Sequence, residues 1–299
     1  MRVDPFFQLT QTYALDNLSA RQDQLSSQLS SGLAVALPSD DPTAAARSVA
    51  LGSAISRDDA YVQAATGLQS QMQVADSALG SVVSQITSAI SLAVQGMNGT
   101  MNSSELQTVG HQMAGLRDEV VSLANTSYAG SYIFSGTSAT QPYTNNTSTT
   151  PAIATYSGDN NSQYAQTPGG QKLTTSLPGS AVFSAAGANV LASLNSLVAD
   201  FSSGTTSSTT AADLATLQAG LTNVTTQRGV LDSSLSTINQ TSTYAQTDET
   251  NLAAAQSKLV SADTAAIATQ LSSNETQQQA LIAVISSAGK DNLFDDIQP

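Results

Sequence analysis

Prolines partition this chain: none lies between Pro42 and Pro142, and none between Pro178 and Pro299. A proline inside a helix removes a backbone hydrogen bond and clashes with the preceding turn, so long helices are allowed in those two blocks and discouraged between them. The first block opens on Ser39-Asp40-Asp41-Pro42, where Asp41 can cap and Pro42 can take the first helical position. A heptad run follows. One row is Leu51, Asp58, Ala65, Met72, Leu79, Ile86 and Ala93, and its partner row is Ile55, Val62, Gln69, Asp76, Val83, Ile90 and Met97. Eleven of these fourteen positions are apolar, which a period of two cannot produce. The spacing predicts a helix of roughly 50 residues, about 75 Å long.

Asn98-Gly99 breaks that helix, and Asn102 with Glu105 offers a capping box for a second. Leu106, Val109, Met113, Leu116, Val120 and Leu123 carry it, Ala129-Gly130 ends it, and the short connection predicts an antiparallel pair. In the second proline-free block Val190, Leu194, Leu197 and Phe201 mark a short helix, and Thr210 with Asp213 can cap a longer one. Its register runs through Leu214, Leu217, Leu221, Val224, Leu231, Leu235, Ile238, Ala245, Leu252 and Leu259, softened at Arg228, Ser242, Glu249 and Gln256. The register shifts near Asp263; if continuous to Ser286, this helix would be roughly 110 Å long.

Between Ser131 and Ala199 only Asp159 and Lys172 are charged, and Gly, Pro, Asn, Ser and Thr dominate. Tyr132 and Phe134 alternate with Ile133 and Ser135, while Gly158-Asp159 and Pro168-Gly169-Gly170 read as turns. A small β-rich module over residues 136–185 is expected; the alternative is a disordered low-complexity loop.

Both ends repeat one design, with Leu15, Leu18, Leu25 and Leu29 at the front and Ile267, Leu271, Leu281 and Ile285 at the back. Each stripe needs burial and the nearest solution is the other, which predicts an antiparallel pair joining the two ends of the chain. From Thr264 to Ala288 the only charge is Glu275. So weak a seam with so little surface charge is marginal alone, and packs closely on copies of itself. These eight residues are therefore the expected assembly interface, loose in the free protein and ordered by self-association. Gln22 inside the front stripe can set register.

Composition removes most chemistry. Nine Lys and Arg stand against 22 Asp and Glu, and the net charge is -13. Without a basic stripe, nucleic acid and acidic membranes are poor partners. The absence of Cys removes disulfides, thiolate nucleophiles and Cys-ligated zinc. The single histidine, His111, lies on a predicted helix near Glu105 and Asp118, with Ser103 and Ser104 off any strained elbow and no oxyanion loop. The pairs Asp40-Asp41, Asp58-Asp59 and Asp295-Asp296 lack the alternating spacing of a calcium loop. Gly169-Gly170-Gln171-Lys172 lacks phosphate-loop spacing. No enzyme, metal site or cofactor is expected. The start, Met1-Arg2-Val3-Asp4-Pro5-Phe6-Phe7-Gln8, does not read as a cleavable secretion signal, and no stretch approaches the roughly 20 uninterrupted apolar residues of a membrane span.

Several runs match a known pattern. Gln28-Leu29-Ser30-Ser31-Gly32-Leu33, followed by Pro38-Ser39-Asp40-Asp41-Pro42 and Ala44-Ala45, resembles the N-terminal signature of the flagellin superfamily. The Pro-Ser-Asp-Asp-Pro form and Tyr132-Ile133-Phe134-Ser135-Gly136 look more like its hook-filament junction members than like flagellin itself. Tyr156-Ser157-Gly158-Asp159, Gln227-Arg228-Gly229-Val230-Leu231, Ser261-Ala262-Asp263-Thr264-Ala265 and Asn292-Leu293-Phe294-Asp295-Asp296-Ile297 extend the likeness nearly to the end.

The resemblance implies a structural protein of the bacterial flagellum, exported unfolded through the flagellar type III channel and located outside the cell. Its implied partners are copies of itself, hook-associated protein 1, flagellin and a cytosolic export chaperone covering the C-terminal helix. The expected fold is mainly α, a long antiparallel helical rod or coiled-coil bundle built from the N- and C-terminal parts, with a small inserted β-rich outer domain. In this reading residues 1–41 and 261–299 are polymerisation helices of an inner tube, 42–135 and 186–260 the rod, and 136–185 a surface domain. Two other readings share these features: a flagellin-type filament subunit, and a secreted coiled-coil adhesin or translocator.

Overall fold

The computed structural model describes residues 5–146, 151 and 153–293. The tail run Phe294-Asp295-Asp296-Ile297 lies outside the described residues. Long helices dominate: α1 (Pro5–Ser31), α2 (Pro42–Gly96), α3 (Ser103–Ala124), α5 (Val190–Ser202), α6 (Thr210–Val260) and α7 (Thr264–Leu293). Between α3 and α5 come β1 (Ser127–Tyr128), β2 (Ser131–Tyr132), β3 (Tyr143–Asn146), β4 (Ile153–Tyr156), β5 (Gln163–Gln166), β6 (Lys172–Ser176), the short helix α4 (Gly179–Phe183), β7 (Ser184–Ala185) and β8 (Ala188–Asn189). Among the described residues the strands pair only with their sequence neighbours, as four antiparallel two-stranded sheets. The chain forms two compact units, Asp58–Gln246 and Met1–Arg57 with Thr247–Pro299.

In the unit Asp58–Gln246 one apolar core joins helices and hairpins. Met72, Leu79 and Ile86 of α2, Met113 and Val120 of α3, Leu194, Leu197 and Phe201 of α5, and Leu217, Val224 and Leu231 of α6 are all buried in it. Phe134, Tyr143 and Phe183 complete it from the β-rich segment; Phe134 and Tyr143 meet Phe183 edge-on, with ring centroids 5.3 and 5.9 Å apart. That segment is folded onto the helices rather than a loose loop. α3 shares this core with α2 but packs most closely on α5.

Several local expectations change. The second buried row of α2 is Ala75, Val82, Ala89 and Gly96, while Val62, Gln69, Asp76, Val83 and Ile90 are half-buried. Small side chains hold this row because neighbours approach closely; a Cβ on Gly96 would stand 2.8 Å from the Phe201 ring. α3 ends at Ala124, capped by Asn125, and Ala129-Gly130 instead turns the β1–β2 hairpin with both residues at positive φ. Residues 133–136 are buried in succession, so no alternation extends beyond Tyr132. The Thr210 hydroxyl does not cap toward Asp213; it donates to Asp200 at 2.5 Å and accepts from the Ser207 amide, tying α6 to the end of α5. Burial and then the nearby Asp200 charge push the Asp213 carboxyl above its ordinary range. The 110 Å helix is two helices: Ser261–Asp263 interrupts it, and the Asp263 carboxylate accepts from the amides of Ala265 and Ala266 to start α7.

α2 also contains an 18-residue window of mean hydropathy 1.4, long and apolar enough to cross a membrane by length and composition. Its row through Leu79, Val82, Ile86 and Ala89 is committed to the core just described.

Candidate assembly interface

In the unit Met1–Arg57 with Thr247–Pro299, the two ends of the chain come together. α1 and α7 lie antiparallel along their stripes. Leu25 and Ile267 are 5% and 7% exposed; Leu15, Leu18, Leu271, Leu281 and Ile285 are half-buried, and Leu29 is 38% exposed. The seam therefore brings the eight predicted residues into one pair but seals only two of them.

The middle of the seam is polar. Buried Asn274 donates from Nδ2 to the Leu18 carbonyl at 2.9 Å, and the Gln278 amide donates to the Ser19 hydroxyl at 3.1 Å. Clefts of about 180 and 400 Å³ flank this layer, lined chiefly by Arg21, Gln24, Gln270 and Gln277. A second apolar set faces outward: Phe6, Leu9 and Tyr13, at 75%, 56% and 62% exposure, with Ile282 and Val284 on α7. Phe6, Leu9 and Tyr13 have the 3-4 spacing of a helical stripe but lie outside the apolar stripe expected for this end of the chain.

The two chain crossings are tied to each other. Leu33 pairs antiparallel with Ser261, the Ala34 amide donates to the Val260 carbonyl at 2.8 Å, and the Ala262 amide donates to the Gly32 carbonyl at 2.9 Å. Gly32 makes the turn out of α1 at φ +69, where a side chain would be strained. Beyond it the Pro38-Ser39-Asp40-Asp41-Pro42 motif works through its carboxylates. Asp40 Oδ2 accepts from the amides of Ala36 and Leu37, turning the link back on itself. Asp41 Oδ1 accepts from the Thr43 hydroxyl and from the Thr43 and Ala44 amides, and Pro42 opens α2. The Thr43 hydroxyl, then the Ala44 amide, hold the Asp41 carboxyl below its ordinary value. Pro38 and Ser39 are exposed, as are Leu33 and Leu37.

The second motif closes a knot in the other unit. The Asp159 amide donates to the Ser135 carbonyl at 3.1 Å, and the Asp159 carboxylate accepts from the Thr137 hydroxyl and amide and the Asn161 amide. Those contacts, Thr137 foremost, lower its pKa. The Tyr156 hydroxyl lies 2.6 Å from the Asp159 carbonyl and 3.2 Å from that of Phe134. Gly136, at φ +75, has no room for a Cβ, which would stand 2.0 Å from Asp159 Oδ1. Phe134 and Ser135 are buried and Tyr132 is half-buried.

Neither arrangement offers acid-base or nucleophilic chemistry. Among the described residues no three His, Asp or Glu side chains converge as a metal site, and His111 is exposed on α3. What the molecule presents is a pair of helices with apolar surface turned outward.

Residues 7–139 match the bacterial flagellin N-terminal helical region, and residues 214–295 match the bacterial flagellin C-terminal helical region. The two matches together take in most of the chain, in the order and on the helices where that family carries them. The chain belongs to the bacterial flagellin family. Among its flagellin-family relatives, the flagellar hook-associated protein 3 of Escherichia coli (strain K12) is 33% identical over 123 residues, 41% of this chain and 39% of that protein. The protein of the same name from Salmonella typhimurium matches to the same extent. The chain thus aligns with about two fifths of the length of these relatives. The crystal structure of flagellar hook associated protein-3 from Legionella pneumophila covers 70% of this chain and 98% of its own, with a TM-score of 0.62 at 12% identity, a likeness of fold. The hairpins β3–β6 and α5 lie between the two flagellin matches.

Proposed function

We propose that this chain is the subunit of the junction between flagellar hook and filament, a structural, non-catalytic protein outside the cell. The observation that carries the reading is the 33% identity over 123 residues with a hook-associated protein 3, in a chain whose flagellin-family match spans both terminal regions. The Pro38–Pro42 and Tyr132–Gly136 motifs support the same branch of the family. In this proposal residues 1–41 and 261–299 form an inner tube, 42–135 and 186–260 a rod outside it, and 136–185 a surface module. Leu15, Leu18, Leu25, Leu29, Ile267, Leu271, Leu281 and Ile285 form the seam on which assembly depends. Copies of the chain close a short ring that docks on hook-associated protein 1 and presents a surface to flagellin. The chain reaches that place unfolded, through the flagellar type III channel, with a cytosolic chaperone on its C-terminal helix.

Deleting the gene is the test. Cells lacking this chain should build hooks without filaments and release flagellin into the medium. Filaments of normal length in the deletion strain would overturn the proposal. Long fibres grown by the purified chain alone would instead identify a filament subunit.

A further inference from the structure

The connection from α2 to α3 carries the one Asn-Gly pair of the sequence, Asn98-Gly99. Both residues are exposed, and Gly99 turns the chain at φ +69, a conformation that glycine adopts without strain. A Cβ on Gly99 would meet nothing within 4 Å, so the space around its amide is open. Helical hydrogen bonding runs out just before the pair. The Met97 amide donates to the Ala93 carbonyl at 3.0 Å and the Asn98 amide to the Gln95 carbonyl at 3.3 Å. Among the described residues, neither the Asn98 carboxamide nor the Gly99 amide has a hydrogen-bond partner. Of the asparagines that precede a serine, Asn102 and Asn195 are held instead: Asn102 Oδ1 accepts from the Glu105 amide at 3.0 Å, and Asn195 Oδ1 from Arg117 Nη1 at 3.2 Å.

We infer that Asn98-Gly99 is a self-modifying site, at which the folded chain converts an amide to an acid without an enzyme. The Gly99 amide nitrogen, deprotonated by hydroxide, attacks Asn98 Cγ. The new N–Cγ bond closes a succinimide ring, and the Cγ–Nδ2 bond breaks as ammonia leaves with a proton from water. Water then opens the ring at either carbonyl, giving an aspartyl or an isoaspartyl residue at position 98. A water is consumed and an ammonia released, with nothing oxidised or reduced. Glycine favours the attack because it has no Cβ to crowd the nitrogen. The product carboxylate stands next to the last carbonyls of α2, where the helix dipole disfavours negative charge. In its isoaspartyl form it also adds a backbone bond to the link that leads into the Asn102–Glu105 capping box. Modification therefore loosens the α2–α3 turn.

Timed incubation of the full folded chain at mildly alkaline pH, followed by peptide mapping with mass spectrometry, tests this. Position 98 should convert first among the asparagines, several-fold ahead of Asn102, Asn161 and Asn195, and faster as pH rises. Enzymatic methylation of isoaspartyl groups should label the same peptide. Repeating the incubation in urea separates fold from sequence, because an open site converts at a similar rate in the native and the unfolded chain. A native rate many-fold below that in urea, or another asparagine converting first, would overturn the inference. Backbone hydrogen exchange over residues 97–106 should be faster in the aged chain than in the fresh one, and Asn98→Gln, aged alike, should keep the exchange of the fresh chain. Equal exchange in aged and fresh wild type, or the same loosening in N98Q, would contradict the effect on the turn.

Discussion

Tyr143 shows how much one side chain carries here. Its backbone amide and carbonyl are both held by the Asn125 side chain at 2.8 Å, so the cap of α3 also anchors strand β3. Its hydroxyl donates to the Gly179 carbonyl at 2.9 Å and lies 3.0 Å from the Ser184 hydroxyl. Burial pushes this phenol well above its ordinary value of 10. The folded state therefore holds the proton more tightly than the unfolded one, and stability is unaffected below pH 10 but falls as pH rises beyond it. Alkaline melting of wild type against Tyr143→Phe measures this: the variant, less stable at neutral pH for want of the hydroxyl's partners, should lose less between pH 9 and 11. At this scale the sequence was partly legible. Asn102, Glu105 and Asp41 could be read as caps because the cap is local. Asn125, Asn274 and the ion pair of Asp76 on α2 with Arg228 on α6 could not, because each partner is distant along the chain and an Asn or Asp in a helix row looks like an interruption.

At the scale of elements, period and packing separate. Helix positions were legible because heptads repeat over many turns, and the rows of α6 held through Leu217, Val224, Leu231 and Ile238. Which residues of α2 form the tighter row was not, since hydrophobic size favoured Val83 and Ile90 over Ala75, Ala89 and Gly96. The close approaches make a paired prediction. A Cβ on Gly110 of α3 would meet the Ser202 backbone amide at 2.6 Å, and α5 cannot yield there. Gly110→Ala should cost about 1–3 kcal/mol. Gly80 of α2 faces only the flexible end of Arg228 at 3.5 Å, so Gly80→Ala should add roughly 0.5–1 kcal/mol by restricting the unfolded chain. Urea unfolding of the two variants checks both signs. The break at Ser261–Asp263 was visible only as a register shift, because neither Gly nor Pro marks it; its cause is the tie to residues 32–34.

On the scale of the whole molecule, the joining of the two ends follows from stripes that have no other apolar partner near them in sequence. The structure realises the pair and also shows how little it seals: among the described residues of α1 and α7, only Leu25, Ile267 and Asn274 are fully buried. A pair with a polar middle layer and outward Phe6, Leu9 and Tyr13 gains more from neighbours than from itself. The outward set was not predicted, because the sequence shows which residues are apolar and not which of two faces an intramolecular partner will take. The proposed assembly therefore depends on the seam. Leu281→Asp places a charge in a half-buried position of that seam, where closing the pair would strip it of water, and it leaves the core of Asp58–Gln246 untouched. The direct measurement is the number of filaments per cell when the L281D chain replaces the native one in the deletion strain. Export with few or no attached filaments is expected; filament numbers equal to those restored by the native chain would contradict the dependence of assembly on the paired ends.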